Sequence, residues 1–458
     1  MMLLTALLFS QGGPLPRALS LKEAIALAVQ NDVERELRSR GLHLTESSLF
    51  ALRRKYFPAL SVSYQSYVSR VLREDDSRDR SVRADLTQLI WDGGQTGLAG
   101  KVTSLTYLAD KEALTLYESD LANKIRLLYF DALRQRQALD LARKYLDAST
   151  RQSEISRKEM ELGLLVETDF LYILSKTREA ERDLLTAERQ FKESLYALRL
   201  ACGVEAEAAF TVQGDLETGL ALFPLEVDLP RLKALGEAGN PAFRKSHLET
   251  LRTGHELILA RLGSFPVLSL GGYWQLGGIA QKNLSQDFGA TLSFSTPFFG
   301  SSVQGSYGLA SRRNTAALDE NESVKLGLFD DPRYFAAIEE KKIAAETARR
   351  QEQLTRKQFA VQLESLSESL RMAWRELKTT DDLVALLTRR LAILETRVGL
   401  GEAKRLDYVK DMNDAQMKRL ERLASRLAYA KQAADLETLL GLPQGGLALV
   451  RGGSGEGP

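Results

Sequence analysis

Catalysis or metal binding would need His, Cys, Ser or carboxylates at set spacings, and this chain of 458 residues offers little of that kind. His43, His247 and His255 are its three histidines, and they stand at no metal-ligand spacing. Cys202 is the single cysteine, which removes both an intramolecular disulfide and any Cys-based metal site. The stretch Gly93 to Lys101, GGQTGLAGK, is similar to a phosphate loop. However, the first glycine of that spacing would fall on Gln95, and Val102 stands where the magnesium-binding Ser or Thr belongs. No nucleophile-elbow sequence joins a serine to a histidine. The expectation is therefore a protein with no catalytic residues, no metal and no cofactor. Charge is instead gathered at two glycine-led turns, Gly163 to Asp169 and Gly401 to Asp407, the second containing Lys404 and Arg405 and followed by Lys410. Asp169 and Asp407 each stand at a helix start, where a carboxylate serves as a cap or as a favourable charge on the helix dipole. Asp407 and Lys410, three residues apart, share one helical face.

The elements that must position these turns are mostly helical. Charged residues make up 27% of the chain with a net charge of +1, and the signs are interspersed, so no global field points to nucleic acid. Only 11 prolines occur. The opening MMLLTALLFSQG has the outline of a secretory signal, an apolar stretch with a small residue near its end, and export is expected. No later window holds the roughly 18 apolar residues of a transmembrane helix, so a membrane could be crossed only with strands.

Sliding the sequence on itself uncovers two repeats. At an offset of 208, Phe57, Pro58, Leu60 and Ser61 fall on Phe265, Pro266, Leu268 and Ser269. At an offset of 238, Gly163 falls on Gly401, Asp169 on Asp407 and Gly203 on Gly441. The second half thus carries about 30 extra residues, placed at about 305–334 and read as a loop. The boundaries that follow are a signal-like segment 1–18, a first repeat 19–204, a linker 205–227, a second repeat 228–442 and a flexible tail 443–458. Ser20 with Glu23 three residues on reads as a capping box.

Within each repeat the order is helix, strand, strand, long helix, turn, helix. The strands are expected at 58–72, 82–92, 266–277 and 287–300, joined by charged or polar connections at 73–80 and 280–287, and the turns at 160–168 and 398–406. Phe288, Ala290, Leu292, Phe294 and Phe298 alternate with Gly289, Thr291, Ser293 and Ser295, giving one apolar and one polar face. A soluble sandwich and an outer-membrane barrel both accept such strands. From about Thr96 to Lys158 no proline occurs, and some 60 helical residues would span about 90 Å, which a globular core does not need. Lateral packing of the coiled-coil kind suits the apolar spacings of three and four.

In order and duplication, LSLKEAIALAVQND, FPALSVSY, LTQLIWDGG, LGLLVETDFL and LACGV in the first half, with GNPAF, FPVLSL, FSTPFFG, GEAKRLDYV and LLGLP in the second, resemble the TolC family of outer-membrane channel proteins. The resemblance implies a mainly α fold with a small β part, a TolC-like α/β-barrel with two internal repeats. It implies a homotrimer in the outer membrane of a Gram-negative-type bacterium, each protomer giving four strands to a 12-stranded barrel and its helices to a periplasmic tunnel. It further implies a passive exit duct of a tripartite efflux or type I secretion system, working with a periplasmic adaptor, an inner-membrane transporter and outer-membrane lipid, and without nucleic acid. Phe57-Pro58 and Phe265-Pro266 would be corners where helix becomes strand, and Trp91, Gly93, Gly94, Phe298 and Phe299 the corners back. Asp407, Lys410, Asp169, Lys404 and Arg405, with Gly163 and Gly401 in the turns, would lie at the periplasmic entrance, Asp407 matching an acidic ring and Lys410 replacing a second aspartate. The competing expectation is a non-channel coiled-coil structural or interaction protein whose strand pairs are small β-tips.

Overall fold

The computed structural model describes residues 18–69, 77–204, 211–216, 223–224, 229–278, 285–298, 300–312, 317–329, 333–443 and 445–447. The helices are α1 (Leu21–Asn31), α2 (Val33–Arg54), α3 (Gln95–Glu161), α4 (Glu167–Ala201), α5 (Leu229–Gly239), α6 (Pro241–Leu262), α7 (Tyr334–Gly399) and α8 (Arg405–Leu440). The strands are β1 (Ala18–Leu19), β2 (Ala59–Ser69), β3 (Ser77–Trp91), β4 (Thr211–Val212), β5 (Val267–Gly278), β6 (Ser285–Phe298), β7 (Ser301–Arg312) and β8 (Ala317–Gly327). The chain divides into two compact units, one of Met1–Leu37, Thr115–Pro241 and Lys357–Pro458, the other of Arg38–Leu114 and Ala242–Arg356.

In the first unit α1 opens with the expected capping box: Glu23 N donates to Ser20 Oγ at 3.4 Å and Ser20 N to Glu23 Oε2 at 2.8 Å. Its core gathers Leu19, Ile125, Tyr129, Leu133, Leu198 and Leu216, all almost fully buried. The segment 205–227, expected as a linker, contributes to this core. There β4 pairs in parallel with β1, and Tyr129 Oη lies 2.9 Å from Leu19 O and 2.5 Å from Gln213 O. Arg136 donates to the carbonyls of Val212 and Gly214, each at 2.6 Å, because a two-residue strand pair leaves those acceptors unmatched. In the segment read as a flexible tail, Leu447 is buried. Residues 1–17 and 448–458 lie outside those described.

The repeat is visible at atomic detail. Asn31, at the break between α1 and α2, donates through Nδ2 to Cys202 O at 3.1 Å, past the end of α4; Asn240, between α5 and α6, donates to Leu439 O at 2.8 Å, near the end of α8. Each final helix stops at a left-handed glycine, Gly203 at φ 65° and Gly441 at φ 67°. Both glycines are crowded: a Cβ on Gly203 would sit 2.7 Å from Asn31 Cβ, and one on Gly441 2.4 Å from Gly239 O. The Cys202 thiol beside this junction donates to Ala24 O, and burial pushes its pKa up to about 11, so it is a packing residue and not a reactive one.

The second unit is organised by one antiparallel sheet in the order β2-β3-β5-β6-β7-β8. Four strands were expected and six are present. The pair β7 and β8 occupies the segment at 305–334 that was read as a loop, and Gly300, at φ 79°, turns β6 directly into β7 with Phe298 paired to Ser301. Phe298 and Gly300 therefore belong to a hairpin and not to a corner back to helix; Phe299 lies outside the described residues. The connections at 73–80 and 280–287 are shorter than expected, since β3 already begins at Ser77 and β6 at Ser285. The expected alternation holds through the sheet. Leu60, Val62 and Tyr64 of β2, Leu270 and Trp274 of β5, Phe288, Leu292 and Phe294 of β6 and Leu318, Val324 and Leu326 of β8 project from one face and are all exposed. Phe294 lies across Gly305, where a Cβ would come within 2.1 Å of its ring.

Replacing Gly441 or Gly203 by alanine should cost clearly more than replacing Gly401. All three have positive φ, a penalty of about 1–2 kcal/mol for an L-residue, but only the first two would also drive a Cβ into backbone or Asn31. Thermal unfolding of the purified protein in detergent should lower the midpoint markedly for Gly441→Ala and Gly203→Ala and slightly for Gly401→Ala. Equal shifts in all three would refute this account of the junction.

Candidate functional site

The residues singled out from sequence lie in two kinds of local geometry: the charged turns of the first unit and the strand ends of the second. The turn between α3 and α4 covers 162–166 and that between α7 and α8 covers 400–404, inside the spans expected from sequence. Gly163 and Gly401 take φ of 74° and 76° with open space around them, so they are there for conformation and not for close approach. Each turn closes through the glycine and the residues after it, with Leu164 N donating to Glu159 O at 2.8 Å and Glu402 N to Arg397 O at 2.9 Å.

Asp169 and Asp407 are not N-caps. Val166 and Lys404 hold those positions without any side-chain hydrogen bond, and the aspartates follow in the first turns of α4 and α8. There they place negative charge beside the positive end of a helix dipole. Asp407, Lys404 and Lys410 are exposed, whereas Asp169 is half-buried. Arg405 differs from its neighbours. Its guanidinium grips Glu159 in a fork, Nε to Oε2 at 2.8 Å and Nη2 to Oε1 at 2.6 Å, and Nη1 donates to Gln152 Oε1 at 2.8 Å. This bidentate geometry, with the bond to Gln152, fixes the first residue of α8 to the last three turns of α3 and cancels one of the three cationic charges here. Lys410 Nζ stands 5.8 Å from the centre of the Tyr172 ring on α4, and Lys176 Nζ stands 5.7 Å from the same ring.

One turn further along α8, Arg390 of α7 lies 2.6 Å from Asp411, and Tyr145 Oη donates to Asn413 Oδ1 at 3.2 Å. Burial raises the Tyr145 hydroxyl to about 12, so it stays a neutral donor. Sequence reasoning found Arg405 but not Glu159, Gln152, Tyr172 or Arg390. The Arg405 partners are 246 and 253 residues away in the chain, and no local spacing announces them.

At the strand ends, Pro58 and Pro266 stand immediately before β2 and β5. Proline has no N–H to donate and disfavours helix in the residue before it, so α2 and α6 stop short of Phe57 and Phe265. After Trp91, at the end of β3, Asp92 accepts hydrogen bonds from Gly94 N at 3.0 Å and Thr96 N at 2.7 Å and starts α3. Gly93 and Gly94 have φ of 66° and 84°, and a Cβ on Gly93 would lie 2.7 Å from Phe265 Cβ. Gln88 Nε2 donates to Tyr56 O and Gln95 Nε2 to Leu262 O, each at 3.0 Å. Of the expected corner residues the structure sets Gly93 against Phe265, while Phe298 lies in the β6–β7 hairpin; Asp92, whose carboxylate accepts from amides at the start of α3, is one that sequence reasoning overlooked although its residue type and place before a helix could have signalled it.

Among the described residues no group of three or more His, Cys, Asp or Glu could hold a metal, and no helix is long and apolar enough to cross a membrane. The model of the outer membrane efflux protein family matches residues 43–204. No curated protein sequence matches the chain. Solved structures do. CusC, described in connection with transmembrane channel formation, is 14% identical over 92% of this chain and 92% of its own at a TM-score of 0.75. The open state of the MtrE outer membrane channel of Neisseria gonorrhoeae is 14% identical over 93% of this chain and 89% of its own at 0.74. The CmeC outer membrane channel of Campylobacter jejuni is 12% identical over 92% of this chain and 85% of its own at 0.73. Residues 43–204 thus resemble the outer membrane efflux protein family, and the chain as a whole shares the fold of these outer-membrane channels.

Proposed function

We propose that the chain is the outer-membrane exit duct of a tripartite efflux or type I secretion system, a homotrimer whose periplasmic end is opened by an adaptor and an inner-membrane transporter. The coarser statement, an outer-membrane efflux channel and not an enzyme, is carried by the family match and the fold. The observation that supports the finer reading best is the uncovered apolar face of the sheet, with Leu60, Val62 and Phe288 each more than half exposed. Strands of 11 to 15 residues suit a bilayer-spanning barrel, and a row of aliphatic and aromatic side chains on one side suits acyl chains. A small β-tip in water would leave the same row as an aggregation surface. A passive duct takes its cargo from its transporter, so specificity lies with the partners.

In this reading the turns at 162–166 and 400–404 are the entrance, and Arg405 is the latch. Its fork on Glu159 holds α8 against α3 and must be released or shifted when the turn moves. Asp407 and Lys410, exposed and on one face of α8, contribute a mixed-charge constriction when three copies meet.

Three outcomes are expected. Purified protein in planar bilayers should form stable channels and migrate as an SDS-resistant trimer that heat dissociates; a monomer without conductance sinks the proposal. Arg405→Ala should raise open probability and loosen the packing, with a coupling of about 1–3 kcal/mol to Glu159→Gln in a double-mutant cycle read by unfolding; additive single effects would remove the latch. Asp407→Ala and Lys410→Ala should shift ion selectivity in opposite directions, and unchanged conductance and selectivity in both would place the pair outside the pore.

A further inference from the structure

The open sheet has two free edges, and their register identifies what covers them. The outer edge of β6 is taken by β7 over all but its first two residues, from Asp287 with Arg312 to Phe298 with Ser301. What remains are β2 and β8, each 11 residues long. They run in opposite directions relative to the helix junctions: β2 leaves that end of the sheet at Ala59, and β8 returns to it at Gly327. Laid against each other they are antiparallel, as every other neighbouring pair in the sheet is.

We propose that β8 of one copy pairs with β2 of the next, so that the β7–β8 hairpin is part of the barrel wall and the trimer closes a barrel of eighteen strands, six from each of three copies. The inference rests on the trimeric channel reading above. Matching the ends of the two strands, Gly327 against Ala59 of the next copy, matches both faces as well. On the apolar side Leu326 meets Leu60, Val324 meets Val62 and Leu318 meets Val68; on the polar side Lys325 meets Ser61, Ser323 meets Ser63 and Asn321 meets Gln65. A slip of one residue would invert every one of these matches.

Charge agrees too. Glu320 and Glu322 interrupt the apolar row of β8, where an exposed edge strand carries charge against indiscriminate pairing. In the proposed register they face the hydroxyls of Ser66 and Tyr64 of the next copy. Ser66 is paired on its far side with Arg80, which is exposed. Two strand spacings separate Glu320 from that arginine, about 10 Å, a gap that the two extended side chains bridge over the short serine.

The stagger closes. Following the pairs across one copy, Ala59 leads to Thr87, Gly271, Thr291, Gly308 and Asn321. Asn321 then faces Gln65 of the next copy, a climb of six residues (65 − 59) in six strands. A shear equal to the strand number gives a tilt of about 36°, within the range of closed barrels. Closing instead through β6 has two equally near registers that keep the faces, Phe298 or Thr296 against Leu60, which set Thr291 against Tyr67 or Gln65. Those climbs are eight (67 − 59) and six (65 − 59) residues in four strands, twice and one and a half times as steep, and either would strip β7 from its ladder. Barrel diameter grows roughly in proportion to strand number, so the mouth would be about half as wide again as a twelve-stranded one.

Cysteine pairs decide between the two walls in the full-length protein. Val324→Cys combined with Val62→Cys should yield a covalent trimer on oxidation, and Phe294→Cys combined with Tyr64→Cys should not. A trimer cross-linked only by the second pair, or by neither, overturns the proposal while leaving the channel reading intact. A monomeric particle overturns both. Cryo-microscopy of the unmodified trimer in nanodiscs, which needs no variant to fold, should count eighteen strands; twelve would end the proposal.

Discussion

The constraint from which the rest follows is that one face of the sheet is mainly apolar and, among the described residues, exposed. In water such a face, bounded by two strands with unpaired N–H and C=O groups, is the standard route to aggregation. In a bilayer the same face is solvated by acyl chains, but the unpaired edges become intolerable, because hydrocarbon offers them no hydrogen bonds. Lipid therefore turns an open sheet into a demand for closure. That demand selects copies of the chain as neighbours, since β2 and β8 match each other in length, direction and pattern.

The junctions between strand and helix answer a second demand, imposed by the change of solvent. Helices elsewhere in the chain carry interspersed charge and satisfy their own backbone groups, which suits water; the strands carry a mainly apolar row, interrupted by Arg80 of β3 and by Glu320 and Glu322 of β8, which suits lipid. The switch must be abrupt, and each corner makes it so with local chemistry. Proline removes a donor where the helix must end, paired glycines take backbone angles that other residues avoid, and Asp92 captures two amides where α3 begins. The glutamine bonds from Gln88 and Gln95 to backbone carbonyls hold neighbouring corners together. The corners are thus closely packed at Gly93, in contrast to the turns at Gly163 and Gly401, where a Cβ would meet nothing within 4 Å.

Much of this was legible in the sequence because it is written at short range. Period-two alternation located β2, β3, β5 and β6, Phe-Pro and the glycines located the corners, and self-comparison located the repeat down to Gly203 and Gly441. What could not be read were contacts between distant segments, such as the Arg405 fork on Glu159. The hairpin of β7 and β8 was missed for a different reason. Ser301, Gly305 and Ser311 weaken the apolar rhythm of β7, and in β8 the carboxylates Glu320 and Glu322 interrupt the apolar row, so the segment reads as a solvated loop. Those charges obscure the strand because they belong to an edge, where the requirement is selective pairing and not burial.

That the extra segment is a hairpin, and not a single strand, follows from parity. Every passage between helix and sheet lies at one end of the strands: Ala59, Trp91, Val267 and Gly327 are all there, as the registers of successive pairs require. A chain that leaves this end along β6's partner must come back along another strand before α7 can start. Insertion of one strand would deliver α7 to the opposite end of the sheet, and insertion of two returns it to the same end with the alternation of directions unbroken. An even increment is the only one that widens the sheet while keeping both of its edges complementary, β2 outgoing and the last strand incoming. The asymmetry between the repeats is thereby confined to the sheet, and the paired asparagine and glycine junctions of the two helical halves, at Asn31 with Cys202 and Asn240 with Leu439, are left unchanged.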